Sequence, residues 1–326
     1  LSRQNSGKKE SKHRASSGTG ISKPAVFILG FLLILVGIFG VLYNPSNSTQ
    51  KTAHWEVSGS GILSFSQRGE PEFTAQKIED TYAPENSDTL KLLSFDSNGG
   101  QIQALLRVPK NSNTSSGLPG IILLPGAGVS KEAEQGLAAE LSKMGYATLT
   151  LDQRNLGSIN PENDLELFKT GLEPVEYSMV YDALKASDVL AAQPEIDPKR
   201  LAILGESNGG RFAIIACALN PSLKGVIGIS TAGYDIEKAE SSLKNDPEAY
   251  RFSLSIDPDT YLSTLPPAKF VQIHSFNDTV ISHDQAFRTF ALAKEPKEMY
   301  NVTEETHGYT ASMRPYLEKE LALLLD

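Results

Sequence analysis

Leu201-Ala202-Ile203-Leu204-Gly205-Glu206-Ser207-Asn208-Gly209-Gly210-Arg211 is the stretch that decides how this chain is read. Its first four residues are apolar and suit a buried strand, and Phe212 to Leu219 continue as an apolar helix. Between them Gly205 to Gly209 reads G-x-S-x-G. A strand that turns this sharply into a helix forces strained backbone angles on the middle residue. Glycine at 205 and 209 lets the two elements approach closely enough to push the Ser207 hydroxyl outward. Ser207 is therefore the candidate nucleophile. Five residues of this pattern arise easily by chance, and the strand before and helix after are the context that gives them weight.

A serine hydroxyl is a weak nucleophile at neutral pH. It needs a histidine base, and the imidazole needs a carboxylate to fix its tautomer. Of the five histidines, His13 lies in a polar tail and His54 near an apolar run, which leaves His274, His283 and His307. His274 sits inside an apolar strand and reads as packed. His307 follows the last strand in Glu305-Thr306-His307-Gly308, where a glycine suits an exposed loop, and it is preferred, with His283 in reserve. Asp278, in the polar loop after the strand Lys269 to His274, completes the order Ser, Asp, His. Acyl transfer also needs donors for an oxyanion. The amide of Asn208 is one candidate, and Ala127 in the loop Pro125-Gly126-Ala127-Gly128 is the other, with Gly126 next.

Outward from the motif, strands alternate with helices. Leu118 to Leu124, Tyr146 to Leu151, Val226 to Ser230, Lys269 to His274 and Lys297 to Val302 read as strands. Lys131 to Met144, the face Val180, Ala183, Leu184 and Ala191, and the stripe Leu317, Leu321 and Leu324 read as helices. Thr89 to Val108 contains Ser97-Asn98-Gly99-Gly100, a hairpin turn, and Trp55 to Gln67 also has strand character. This alternation predicts a mostly parallel central sheet with helices on both faces, and ligands at the carboxyl ends of its strands. Between Ser230 and Lys269 lie about 30 residues beyond a simple crossover. With Asp257-Pro258 as a helix start, the segment of about 233 to 265 predicts a small helical cap. Its Tyr234, Tyr250, Phe252 and Tyr261 line a pocket or pack among themselves.

These features together resemble the α/β-hydrolase superfamily, and within it the dienelactone-hydrolase-like and acylaminoacyl-peptidase-like serine hydrolases. The resemblance covers 89 to 326. Besides the elbow it rests on the Asn98-Gly99-Gly100 hairpin, the glycine loop, Asp152-Gln153-Arg154, Asp197-Pro198-Lys199-Arg200, Asn277-Asp278 and His307-Gly308. Asp152 and Arg154 in this setting look structural, and Pro125 stands where many relatives carry histidine. The resemblance implies a serine hydrolase that cleaves ester, or amide, bonds of small molecules through an acyl-enzyme without metal or organic cofactor. A peptidase of the acylaminoacyl-peptidase type and a catalytically silent fold used for surface binding are the rival readings.

Composition bounds the rest. The 326 residues are 40% hydrophobic, enough for a sizeable core. The single cysteine, Cys217, reads as a core residue and has no intrachain partner. The net charge is -9. Residues 1 to 23 carry six basic side chains against Glu10 alone, about +5, which leaves about -14 for the remainder and no footprint for nucleic acid. That tail, rich in Ser, Gly and Lys, reads as disordered. Pro24 to Tyr43 is uncharged and long enough to span a hydrocarbon core, with no cleavage site behind it, so it reads as a transmembrane anchor rather than a signal peptide. The basic flank places 1 to 23 in the cytoplasm and the hydrolase portion outside. Residues 44 to 88 read as a linker with N-terminal strands. Asn47, Asn113, Asn277 and Asn301 begin glycosylation sequons that agree with this topology. Oligomeric state is not legible.

Overall fold

A computed structural model describes residues 54–110, 117–238 and 241–326. The basic tail, the apolar run Pro24 to Tyr43, and the sequons at Asn47 and Asn113 lie outside the described residues. Among the described residues no helix is long and apolar enough to cross a membrane, and no cluster of His, Cys, Asp or Glu could hold a metal ion.

Two short strands, β1 (Trp55–Val57) and β2 (Leu63–Phe65), pair as a small antiparallel sheet of their own. The main sheet is built from β3 (Phe73–Ile78), β4 (Thr89–Ser97), β5 (Gly100–Val108), β6 (Leu118–Leu124), β7 (Ala147–Leu151), β8 (Ile196–Glu206), β9 (Gly225–Ile229), β10 (Lys269–Ser275) and β11 (Lys297–Val302). Their spatial order is β11-β10-β9-β8-β6-β7-β5-β4-β3. β3, β4, β5 and β7 pair antiparallel in sequence, and every pairing from β7 through β11 is parallel. The expected hairpin joins β4 and β5, with Asn98 and Gly99 both at positive φ as a two-residue turn of this type requires. β3 was not anticipated. It lies within the stretch 44 to 88 read as a linker with N-terminal strands and pairs with β4 along its whole length, and the described residues from His54 onward belong to one compact unit.

The middle of the sheet is buried on both faces, which is why Ile121 to Leu124 and Leu201 to Leu204 read as apolar runs. Along β6 and β8 alternate residues enter different cores. Ile122, Leu124, Leu201 and Ile203 pack on one face with Val180, Leu184, Phe212 and Ile215. Ile121, Leu123, Ala202 and Leu204 pack on the other with Leu137, Leu141, Leu317 and Leu321. The first set of helical residues lies on α3 (Val175–Ala191) and α4 (Ser207–Leu219), the second on α1 (Gln135–Lys143) and the C-terminal α8 (Arg314–Leu325). α2 (Pro161–Lys169) precedes α3, started by Asn160, whose side chain accepts from the Asn163 amide. Cys217 is buried in the first core. β6 leads to β7 on one side and, after β7, the chain returns to β8 on the other. The carboxyl ends of β6 and β8 therefore flank the topological switch point, where open α/β sheets bind ligands.

Between β9 and β10 the chain forms α5 (Ser241–Lys244), α6 (Pro247–Ile256) and two short 3₁₀ helices at Pro258–Thr260 and Leu262–Thr264. Asp257-Pro258 starts a helix as expected, but a single 3₁₀ turn, with the Asp257 side chain accepting from the Asp259 amide. The longer helix α6 starts at Asp246-Pro247, where the Asp246 side chain accepts from the amides of Glu248 and Ala249. Asp257 is also fully buried, accepting from the amides of Tyr234 and Ile236, and it ties the segment's entry to its exit. Phe252 and Tyr261 are internal packing: Tyr261 donates to the Ser255 carbonyl at 2.7 Å and accepts from the Leu63 amide at 3.0 Å.

Candidate active site

β8 ends at Glu206 and α4 begins at Ser207, whose φ of 50° is a strained value for a residue with a side chain. Nothing larger than hydrogen fits at the flanking glycines. A Cβ on Gly205 would collide with the Gly209 carbonyl, and one on Gly209 with the carbonyl oxygens of Leu124 and Pro125. Thr231 Oγ1 donates to the Ser207 carbonyl at 2.7 Å and holds the turn from the next strand end.

The Ser207 Oγ lies 2.8 Å from His307 Nε2, and His307 Nδ1 lies 2.9 Å from Asp278 Oδ2. Asp278 also accepts from the amides of Val280 at 2.8 Å and Ile281 at 3.0 Å. Burial raises the Asp278 carboxyl, but the His307 ring and these two amides outweigh it and hold the group below its usual range. An ionised Asp278 can only accept, so Nδ1 carries the ring proton and Nε2 is free to accept from the serine hydroxyl. His274 and His283 stand elsewhere. His274 is buried with Nε2 at the Ile281 carbonyl, and burial lowers its pKa so that it stays neutral. His283 opens α7 (His283–Leu292), bonds Asn301 Oδ1 at 2.9 Å and lies against the Phe276 ring. Two sequon asparagines are thereby placed: Asn301 faces His283, and exposed Asn277 donates to the Thr303 carbonyl.

The glycine loop after β6 runs beside the serine: a Cβ added to Gly126 would sit 3.5 Å from the Ser207 Cβ. Two contacts with the loop after β7 set its shape: Gln153 Nε2 donates to the Pro125 carbonyl at 2.5 Å, and the Gly128 amide donates to the Leu156 carbonyl at 2.6 Å. Asn208 Nδ2 ties the loop after β7 to α4, donating to the Gly157 carbonyl at 2.6 Å. Asp152 accepts from the Lys131 amide and ammonium, and Arg154 pairs with buried Asp182, so both brace these loops rather than face the serine. The Ala127 amide has no acceptor among the described residues, and Asn208 lies in the first turn of α4, where amides have no intrahelical partner.

Residues 70–250, more than half of the chain, match the family model described as acetyl xylan esterase (AXE1). The chain belongs to the acetyl xylan esterase family. The solved acetyl xylan esterase from Paenibacillus sp. R4 superposes with a TM-score of 0.64 at 16% identity, over 79% of this chain and 90% of that one, which shows a shared fold. The chain therefore has the α/β-hydrolase fold and lies in that superfamily. Among curated relatives, the uncharacterized protein YfhR of Escherichia coli O157:H7 is 25% identical over 41% of this chain and 47% of its own length. The putative hydrolase YtaP of Bacillus subtilis is 31% identical over 26% of this chain and 29% of its own. These matches span about half the length of those relatives or less.

In this acetyl xylan esterase family member, three groups near the site escaped the sequence reading. Gln153 shapes the glycine loop, Ser230 Oγ accepts from the Gly308 amide at 2.9 Å, and Glu206 Oε1 accepts from the Tyr309 amide at 2.7 Å. Glu206 was in view as the variable position of G-x-S-x-G, but no local pattern says that its side chain reaches a loop a hundred residues onward.

Proposed function

We propose that this protein is a serine ester hydrolase acting on small acyl esters through an acyl-enzyme. The observation that carries the reading is the continuous hydrogen-bonded chain Ser207, His307, Asp278 at the carboxyl edge of the sheet. Ser207 Oγ attacks the ester carbonyl while His307 Nε2 takes its proton, and Asp278 orients the ring and stabilises the imidazolium. The amides of Asn208 and Ala127 stabilise the tetrahedral oxyanion. His307 then protonates the departing alcohol, and a water activated by the same ring releases the acid. Family membership supports acetyl as the acyl group. The segment between β9 and β10 is a small cap that limits acyl length: its Tyr234 lies over the Arg211 guanidinium, 4.2 Å from charge to ring centre, one turn of α4 beyond the serine.

A fluorophosphonate probe labels the protein covalently, and Ser207→Ala abolishes both the label and hydrolysis of p-nitrophenyl acetate. Absence of labelling in the wild type would overturn the reading in favour of a catalytically silent fold, and labelling that persists in Ser207→Ala would remove Ser207 as the nucleophile.

We further propose that Pro24 to Tyr43 anchors the protein, with residues 1 to 23 cytoplasmic and the hydrolase portion outside. The support is the uncharged apolar run with its basic flank on one side only. Protease added to intact cells then degrades the hydrolase portion and spares the tail. Protection of the hydrolase portion would refute the topology.

A further inference from the structure

His274 lies directly behind the acid of the triad, and the mechanism above does not use it. It sits on β10 in register with Asn301 of β11, and its side chain is wholly buried. Nε2 lies 2.9 Å from the Ile281 carbonyl and 3.6 Å from Asp278 Oδ2. Nδ1 is buried with no hydrogen-bond partner among the described residues. The His283 ring stands edge-on to it, 6.2 Å between centres. Burial lowers the pKa of the His274 ring and keeps it neutral.

These distances fix the proton. A neutral imidazole carries one N–H, and both groups in front of Nε2, a carbonyl and a carboxylate, can only accept. With the proton on Nδ1, the Nε2 lone pair would face two acceptors and Nδ1 would be a buried donor with nothing to receive it. With the proton on Nε2, the ring donates to the Ile281 carbonyl and turns the positive end of the same dipole towards Asp278 Oδ2. Only a buried acceptor is then left unmet, the less costly defect. At 3.6 Å the contact with Asp278 is electrostatic rather than a hydrogen bond.

The loop that carries Asp278 is held from two sides. On the β11 side Asn277 Nδ2 donates to the Thr303 carbonyl at 2.5 Å, and the Phe276 amide to the Val302 carbonyl at 2.9 Å. On the other side Ile281 is gripped at both ends: its amide donates to Asp278 Oδ1 at 3.0 Å and its carbonyl accepts from His274. One oxygen of the acid thus depends on where Ile281 stands. The other is shared between His307 Nδ1, at 2.9 Å, and the dipole of His274.

We propose that His274 is a positioning residue for Asp278: its Nε2–H fixes the Ile281 carbonyl, and with it the loop that sets the carboxylate against His307. This rests on the ester-hydrolase reading. The ring is buried behind the carboxylate and out of reach of substrate, so its loss lowers kcat and leaves KM in place. Three substitutions separate the donor from the shape. Glutamine carries its amide nitrogen as many bonds from Cβ as Nε2 and can keep the bond to Ile281. Asparagine ends one atom short, and phenylalanine keeps a ring without the N–H.

The test is kcat and KM for p-nitrophenyl acetate per active site, the sites being counted by fluorophosphonate labelling taken to completion. In His274→Asn and His274→Phe kcat per site falls about 10-fold or more, short of the roughly 10⁴-fold loss that follows when an acid no longer holds its histidine, with KM within about twofold. His274→Gln stays within about threefold of wild type. A loss in glutamine as large as in asparagine overturns the inference, as does an unchanged kcat per site in asparagine and phenylalanine. A loss confined to the number of labelled sites marks a role in packing alone and also overturns it. The wild-type protein supplies a check that needs neither variant nor turnover: the nitrogen chemical shifts of the His274 ring place its proton on Nε2. A proton on Nδ1 overturns the inference. If the asparagine and phenylalanine variants do not fold, this shift decides. A proton on Nε2 in a protein without Ser207-dependent hydrolysis would count against the hydrolase reading and leave the hold on the Asp278 loop standing.

Discussion

His307→Ala lowers turnover of p-nitrophenyl acetate by about 10⁴-fold or more, whereas His283→Ala leaves it near the wild-type value. The size of the first effect follows from the role that the geometry allows. Among the described residues the ring is the one group in contact with both the Ser207 hydroxyl and the Asp278 carboxylate, and without it the serine keeps its proton. A residual rate remains from the oxyanion donors and from binding. His307 lies on a loop with a partly exposed side chain, 23% accessible, so alanine there costs little packing and the thermal midpoint should stay close to wild type. His283 caps nothing in the site; its ring meets Asn301 and Phe276. Single-turnover and steady-state kinetics on the two variants check this. Retention of more than a tenth of the activity in His307→Ala, with the fold intact, would remove His307 as the base.

Arg107→Ala destabilises the fold by about 3–5 kcal/mol without touching the site. Arg107 is wholly buried on β5 and donates to Asp80 Oδ2 at 2.5 Å, Asp88 Oδ2 at 2.9 Å and Gln135 Oε1 at 3.2 Å. It joins the ends of β3 and β4 to the start of α1. Burial alone would raise the Asp80 carboxyl. The bond from Arg107, the amides of Ala83 and Tyr82 and the arginine charge together hold it below its ordinary 3.8. That stabilisation is present above about pH 4 and is lost as pH falls through the folded-state value. In the alanine variant two enclosed carboxylates lose their cation, and protonation relieves them. Urea unfolding at pH 7 should show the full deficit, narrowing as pH is lowered towards 4. A loss below about 1 kcal/mol at pH 7 would mean that water or a neighbouring cation replaces the guanidinium.

The features legible in the sequence were those carried by neighbours in the chain. G-x-S-x-G between an apolar strand and an apolar helix named the elbow, because the chemistry of a tight turn is written in the residues that form it. The Asn98-Gly99 turn named the β4–β5 hairpin for the same reason, and the alternation of strands with helices already implied a sheet covered on both faces. The order Ser207, Asp278, His307 made those residues candidates. The two helix starts in the cap show the limit of local signals. Asp246-Pro247 and Asp257-Pro258 are the same dipeptide and both cap a helix, but the first opens a ten-residue α-helix and the second a single 3₁₀ turn. The second carries an aspartate buried against the amides of Tyr234 and Ile236, which no window around 257 contains.

Tertiary structure decided what depends on residues far apart in the chain. It selected His307 over His283 as the neighbour of Ser207, since both follow strands at the same edge and only one loop turns inward. It brought β3 into the main sheet despite its short, largely exposed sequence, because the edge of β4 offered a ladder to pair with. It made Arg107 the centre of an ionic cluster and turned Glu206, an unconstrained letter in the motif, into the anchor of the histidine loop. A buried charge is tolerated only where partners converge on it from separate elements. The chain's local pattern specifies those elements, but their convergence exists only after the sheet has assembled.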